Sequence, residues 1–554
     1  MTTRSLPVLD LAPAAAGQAR RAPAAEERLA EFATDDVILP RFHVWTLGCQ
    51  MNRSDSEEMA GALLAAGCSE APAMESADVI VINSCAIREA AEQKVIGRMG
   101  TLARLRKANP ALRVVLTGCS VRADNQSTLH RRYPEVDLFL RPDEEPELVA
   151  RLGLAGATTV GALAGEESFA QAGPRASGSR FQRVGRSIAA TADALPGTRA
   201  AAVGEGRIRR EGTTHAWIPI IYGCDKTCTY CIVPFSRGPE RSRPFDDVVA
   251  EARGLAAAGY QDVTLLGQNV NSYGHDLPAE ERFAGVRGER TLGRQLALDG
   301  RPDIAALLRA IDAIRTADGV PAIPRLRFVT SHPWDLTERL IGAMADCSSV
   351  CEHLHLPVQS GDDAVLHRMG RQYTVEAYLS LVGRLRAAVP GISLTTDVIV
   401  GFCGETRAQF EATLALLREV RFDQVFAAAF SVRPGTPAAR LPDDVPAAEK
   451  RDRLNELLAL QEAIGLERNQ AWVGRVTEVL IDAVRPERSH GHDEADDGVV
   501  RDATASGGEA VRLSGRSREN KLVHLSGADT LVGHRLPVLI ERAGPYALVG
   551  RVAA

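Results

Sequence analysis

Between His215 and Arg468, short apolar runs alternate with helix-like stretches six times, and this rhythm limits the fold more than any other feature of the chain. Strands read at 216–222, 262–266, 326–330, 353–357, 393–400 and 424–430. Helices read at 246–258, 303–316, 335–346, 375–388, 405–420 and 447–468. Parallel strands need long crossovers, and helices supply them. Six β/α units are too few to close an eight-stranded barrel, so an open, partial barrel is predicted. The stretch 276–302 breaks the rhythm and reads as a surface insertion.

A second α/β pattern precedes this one. Strands at 42–47, 78–83 and 112–117 alternate with helices, which predicts a parallel α/β domain over 41–153. After 469 the chain becomes strand-rich, at Val476–Ile481, Lys521–Leu525, Arg535–Glu541 and Ala547–Val552, with glycine turns that predict a small β-barrel. The remaining segments are a 1–40 extension rich in Ala, Pro, Arg and Glu, read as disordered, and an Ala/Gly/Ser-rich linker or insertion over 154–213. An acidic loop over 485–511 interrupts the barrel region. The chain of 554 residues, enough for about three or four domains at ~150 residues each, thus divides into an α/β domain, the β/α core of 214–468 and a barrel of 469–554. The acidic residues of the extension argue against a transit peptide, and no apolar run approaches the ~20 residues of a membrane span. A cytoplasmic protein with no membrane contact, acting as a monomer, is expected. The net charge of −6 gives no global nucleic-acid signature.

Ten cysteines in a long chain without a secretion signal point to metal rather than disulfides. Cys224, Cys228 and Cys231 form a C-x3-C-x2-C loop just after the first strand of the β/α core, with no fourth cysteine nearby. A structural zinc site wants four protein ligands, whereas three thiolates can hold three irons of a [4Fe-4S] cube and leave the fourth open to a small molecule. Iron–sulfur is the favoured reading, with zinc or plain structural cysteine as the competitors. Cys49, Cys85 and Cys119 each follow a strand of the N-terminal domain within two residues, and a parallel sheet brings such strand ends to one edge. From the residues alone, that convergence fits a second three-thiol site or a set of buried structural thiols equally well. Cys347 and Cys351 lack a third partner, and Cys68 and Cys403 are isolated, so packing is their expected role.

Four stretches carry a family resemblance: Thr46-Leu-Gly-Cys-Gln-Met-Asn52, Asn83-Ser-Cys-Ala-Ile-Arg-Glu-Ala-Ala-Glu-Gln-Lys94, Gly223-Cys-Asp-Lys-Thr-Cys-Thr-Tyr-Cys-Ile-Val-Pro234 and Leu266-Gly-Gln-Asn-Val-Asn-Ser-Tyr-Gly274. With these, the chain over 41–153 and 214–553 resembles the radical-SAM methylthiotransferases, most of all the branch that makes 2-methylthio-N6-isopentenyladenosine in tRNA. Its terminal barrel resembles a TRAM domain, an RNA-binding module. The sequence departs from the family at Gly401-Phe-Cys-Gly-Glu-Thr406, with Cys403 where proline is usual, and at Pro239, where arginine is common.

The resemblance implies two [4Fe-4S] clusters, a radical-SAM cluster on Cys224, Cys228 and Cys231 and an auxiliary, sulfur-bearing cluster on Cys49, Cys85 and Cys119. It also implies S-adenosylmethionine on the open iron. Reductive cleavage would give a 5′-deoxyadenosyl radical that removes hydrogen from C2 of an adenine, a step beyond any side-chain base. The implied partners are the anticodon stem-loop of tRNA, an electron donor such as flavodoxin or ferredoxin, and a sulfur source. Gln268, Asn269, Gln359 and Asp397 are polar residues at or beyond strand ends, and are candidate S-adenosylmethionine contacts or simply a polar cap on the barrel. Arg237 and Arg241, after the cysteine loop, are candidates for cofactor or RNA contact or for a surface role. Arg512, Arg516, Arg518 and Lys521 form a basic edge suited to RNA phosphates. Two relatives, acting on threonylcarbamoyl-adenosine in tRNA or on a ribosomal-protein aspartate, are the alternatives within the class. A non-catalytic, zinc-containing RNA-binding protein is the alternative outside it.

Overall fold

The computed structural model describes residues 40–85, 89–154, 208–292, 295–296, 298–485 and 511–553. The predicted N-terminal extension, most of the 154–213 linker and the acidic loop lie outside the described residues, as does 86–88.

The N-terminal domain holds five parallel strands: β1 (Arg41–Leu47), β2 (Ser69–Glu70), β3 (Val79–Ser84), β4 (Arg113–Thr117) and β5 (Leu138–Phe139), in the order β2-β1-β3-β4-β5. β3 lies at the centre and is buried along its whole length. Ile80 and Ile82 face one apolar cluster while Val79 and Val81 face another, as a sheet covered on both sides requires. The register pairs Leu47 with Ser84 and Asn83 with Thr117, so three strands end at one level.

The β/α core contains β6 (His215–Pro219), β7 (Asp262–Leu266), β8 (Arg325–Phe328), β9 (His353–His355), β10 (Ser393–Val400) and β11 (Gln424–Ala429). They form two parallel sheets of three, β8-β7-β6 and β9-β10-β11, joined where Leu326 bridges Val350. This is the open six-stranded arc that the alternation predicted. Its largest apolar cluster unites strand residues such as Ile218, Leu265, Leu326 and Val398 with helix residues such as Leu307, Leu385 and Leu417. The 276–302 stretch is more than a surface insertion, because Phe283, Val286 and Leu298 pack a small core against Phe245 and Ala306.

The last domain is a closed five-stranded barrel of β12 (Val476–Arg485), β13 (Val511–Ser517), β14 (Leu522–Gly527), β15 (Arg535–Ala543) and β16 (Leu548–Val552). Four of these strands were legible. The fifth, β13, was hidden in what read as a basic edge. Leu513 points into the barrel core while Arg512 and Arg516 are exposed. No helix among the described residues is long and apolar enough to cross a membrane.

Candidate metal centres

Cys49, Cys85 and Cys119 meet at the C-terminal edge of the N-terminal sheet, close enough for Cys119 to feel the charge of both others. The backbone there accepts little but glycine. Gly118 has φ +88°, and a Cβ on it would lie 2.4 Å from both Asn83 Oδ1 and Ser84 O. A buried amide lattice locks the strand ends together. Asn52 Nδ2 donates to Asn83 Oδ1 (2.7 Å), and Asn83 Nδ2 donates to Asn52 O (2.8 Å) and to Ser56 Oγ (3.1 Å). Burial pushes the Cys119 thiol up to about 12, with Arg237 opposing the rise. A metal that takes this sulfur as thiolate must therefore displace a proton.

The loop of Cys224, Cys228 and Cys231 leaves the C-terminal side of β6. Gly223 turns the chain into it with φ +73°, and a Cβ there would meet Pro239 O at 2.0 Å. Main-chain bonds clamp the loop: Thr229 N donates to Met369 O (2.9 Å), and Ala438 N donates to Thr229 O (2.8 Å). Burial raises the Cys224 thiol, and burial followed by Cys228 pushes Cys231 up to about 12. His332 Nε2 lies 3.8 Å from Cys228 Sγ. Beside the loop, Lys226 pairs with Asp335, whose carboxylate also accepts from Asn269 Nδ2 at 2.6 Å.

All ten cysteines are free. Among the described residues, the group of three metal-binding side chains whose ligand atoms all lie within 4.8 Å of one another is Asp225, Glu240 and His275, not either thiol set. A zinc tetrahedron would hold its sulfurs about 3.8 Å apart, from Zn–S bonds of about 2.3 Å. Three soft thiolates without a fourth cysteine suit an iron–sulfur cluster with one open iron better than a structural zinc ion. Both sets therefore fit the group the sequence suggests. In the acidic group, His275 sits 3.8 Å from Asp225 and 3.6 Å from Glu240 and bridges them as a cation would.

The other candidate residues divide. Asn269 is 1% exposed and spends its amide hydrogens on Asp335, Ser272 and Glu240, as a polar cap does. Gln268, beside it, keeps a buried side-chain oxygen with no protein partner. Gln359 takes φ +74° and bonds through its main chain to β10. Asp397 pairs with His355 at 3.4 Å. The basic edge needs correction. Lys521 is buried and bound to Asp423 (2.6 Å) and Asn469 (2.8 Å). Arg518 grips Glu352 (2.8 Å) and the carbonyls of Pro324, Ser348 and Val350. These two cations anchor the barrel to the β/α core and are consumed there, so they are not free for phosphate. Arg512 and Arg516 remain exposed. Arg371 escaped the sequence reading. It is buried beside Tyr230 and Cys228, and its Nε and Nη1 have no hydrogen-bond partner. Its position in Met369-Gly-Arg-Gln-Tyr-Thr374 carried no spacing signal.

Residues 41–141 match the family described as Uncharacterized protein family UPF0004, and residues 218–417 match the Radical SAM superfamily. A tRNA-2-methylthio-N(6)-dimethylallyladenosine synthase of Roseiflexus sp. is 38% identical over 517 residues, covering 93% of this chain and 90% of the relative. The chain belongs to this synthase family. The protein of the same name from Carboxydothermus hydrogenoformans is 38% identical over 510 residues, covering 92% of this chain and 98% of its own length. A solved radical S-adenosylmethionine methyltransferase from Kitasatospora setae aligns over 78% of each chain at 16% identity, with a TM-score of 0.46. That likeness is loose, and membership in the synthase family rests on the two relatives. Both match more than nine-tenths of this chain, so the N-terminal thiol site, the cysteine loop and the terminal barrel fall within one family pattern.

Proposed function

We propose that this chain is a radical S-adenosylmethionine methylthiotransferase that replaces the C2 hydrogen of N6-isopentenyladenosine with a methylthio group, at position 37 beside the tRNA anticodon. The observation that carries the reading is the pairing of two separate three-thiol sites, each on a C-terminal strand edge, in a chain 38% identical to synthases of that name.

Cys224, Cys228 and Cys231 would hold the radical-SAM cluster, and Cys49, Cys85 and Cys119 the auxiliary one. Bound together, the clusters and S-adenosylmethionine supply the radical and the sulfur that no side chain can. The protein's own part is placement and exclusion of water. The Lys226–Asp335 pair and Asn269 stiffen the floor of the loop. The orphaned oxygen of Gln268 is an acceptor suited to the ammonium of the cofactor. The exposed Arg512 and Arg516 are the barrel residues suited to RNA phosphates. The target adenine must leave its stack, which costs least in an anticodon loop. A reductant protein and a sulfur source complete the reaction, in the cytoplasm.

Iron and acid-labile sulfide after anaerobic reconstitution test the centres. About eight irons per chain are expected, and about four in a Cys224/Cys228/Cys231→Ala triple variant. Stoichiometric zinc instead would turn the reading to a non-catalytic RNA-binding protein. Nucleoside analysis of tRNA from a deletion strain tests the substrate. Persistence of 2-methylthio-isopentenyladenosine, with no second enzyme present, would sink that assignment.

A further inference from the structure

The side chain that closes the N-terminal thiol site comes from the other domain. Arg237 ends the short helix Val233–Arg237 that follows the cysteine loop of the β/α core. Its side chain is only 4% exposed. Nε donates to Cys119 Sγ at 3.1 Å, and Nη2 donates to Asp55 Oδ2 at 2.6 Å. A second buried acid, Glu145, lies within reach of the same charge and accepts from Thr117 Oγ1 at 2.7 Å. One guanidinium thus bonds a thiol and a carboxylate in a buried interface, with the acid of Glu145, pushed up by burial, close by.

A tether between domains needs only the Asp55 contact. Burying a guanidinium is expensive, and each N–H aimed away from a carboxylate must find another acceptor. Here that acceptor is a sulfur of the metal-binding set. Groups that donate hydrogen bonds to cluster sulfurs tune the cluster's potential and orient its ligands. The same short helix begins directly after Cys231 and Ile232, so Arg237 is geared to the position of the cysteine loop.

We propose that Arg237 is a positioning residue shared by the two centres: by donating to Cys119 sulfur from the loop side, it raises the reduction potential of the auxiliary cluster and fixes that cluster's place relative to the radical-SAM loop. This rests on the reading that Cys49, Cys85 and Cys119 hold a cluster. The contact joins residues 118 positions apart, and the two bonds assign the guanidinium two jobs, one electrostatic toward sulfur and one mechanical toward Asp55.

The test uses the full-length chain in the Cys224/Cys228/Cys231→Ala background, reconstituted anaerobically, so that only the auxiliary cluster contributes to the spectra. Arg237→Lys keeps the buried charge opposite Asp55 but lacks the fork needed to reach sulfur as well. Arg237→Met removes both interactions. Iron per chain, the electron paramagnetic resonance of the reduced state, the midpoint potential and far-ultraviolet circular dichroism are measured. The parent is expected to hold about four irons. With its iron retained, the Lys variant is expected to shift to a more negative potential with altered g-values, and the Met variant to shift further. If the Met variant does not fold, the Lys variant decides. A Lys variant with full iron and the parent's potential and spectrum overturns the proposal. A parent without iron overturns the cluster reading at Cys49, Cys85 and Cys119, and the role of Arg237 falls with it.

Discussion

The two three-thiol sites use the same ligands and are built in opposite ways. The loop of Cys224, Cys228 and Cys231 is one continuous turn, entered through a glycine at φ +73° and clamped by main-chain bonds to Met369 and Ala438. The site of Cys49, Cys85 and Cys119 exists only because three parallel strands end at one level. It has to be locked by Asn52 and Asn83 from below and by Arg237 from a neighbouring domain. The ligand spacing of the first is written in the consecutive residues 224–231, whereas that of the second is written only in the register of the sheet. On the proposed assignment, the loop would generate reactivity and the assembled site would have to be kept at a set place.

The largest effects come from removing thiols, and they separate the two sites. Cys228→Ala is expected to abolish reductive cleavage of S-adenosylmethionine, along with about four irons. Cys119→Ala is expected to lose about four irons and all methylthio transfer while still cleaving S-adenosylmethionine. Quantifying 5′-deoxyadenosine and modified tRNA side by side checks this. A Cys119→Ala protein that still thiomethylates would remove the assembled site from the reaction.

That contrast also explains what was legible. C-x3-C-x2-C can be read from a string because its geometry is local. The six β/α units could be read because periodicity is local, and strand ends fell within a few residues of expectation. Convergence of Cys49, Cys85 and Cys119 followed from topology, but no sequence signal tied Arg237 to Cys119 across 118 positions. The basic edge misled for the same reason. Arg518 meets Glu352 from 166 positions away, so a row of cations that suggested phosphate was partly an internal joint. β13 was missed because its arginines masked the inward alternation of Val511 and Leu513.

Backbone substitutions come next in size. Gly118→Ala forces a Cβ into Asn83 and Ser84 at 2.4 Å in a left-handed conformation. A loss of roughly 1–3 kcal/mol from backbone strain alone is expected, before the clash is counted. Thermal unfolding and iron content should fall together, because the same strand ends carry the thiols. Asn83→Ala removes the acceptor of Asn52 Nδ2, while Ser56 Oγ keeps its bond from Thr46 Oγ1 (2.8 Å), so about 1–3 kcal/mol is expected from the one donor left unsatisfied. If Asn83→Ala loaded its auxiliary cluster with unchanged stability, the lattice would have no part in assembling the site.

The barrel extends the comparison to the far end of the β/α arc. Asp262, Arg325, Glu352 and Asp423 stand at or just before the N-terminal ends of β7, β8, β9 and β11, opposite the cysteines, and all four are joined to the barrel or to the cations docking it. Burial alone would raise the Asp423 carboxyl, but Lys521 and Arg468 hold it below its ordinary range. A carboxyl lowered by folding contributes stability above its unfolded value near 3.8 and loses it as pH falls through the lower folded value. Lys521→Met leaves the Asp423 charge with Arg468 and the Leu394 N–H (3.0 Å). Breaking a buried pair of this kind costs about 3–5 kcal/mol. Here the surviving Arg468 contact at 2.9 Å is expected to bring the loss toward the lower end. The check is chemical denaturation at neutral pH and again near pH 3, where the difference between wild type and variant should shrink.

The smallest expected effect separates anchoring from RNA binding on one strand. Arg512 is exposed on β13, while Lys521, just past the strand's end, is buried in the joint. Arg512→Gln should leave stability within about 0.5 kcal/mol of wild type, as exposed substitutions do. Its cost should appear in tRNA binding, weakened alike for modified and unmodified anticodon stem-loops, because a phosphate contact carries no base information. Losing one such contact should flatten the slope of log affinity against log salt by roughly 0.7–0.9. Lys521→Met should show the reverse pattern, with stability lost and the salt slope unchanged in whatever fraction remains folded. If Arg512→Gln left the slope untouched while Lys521→Met lowered it, phosphate binding would belong to the buried joint, and the division of this basic edge into an anchor and an RNA face would be inverted.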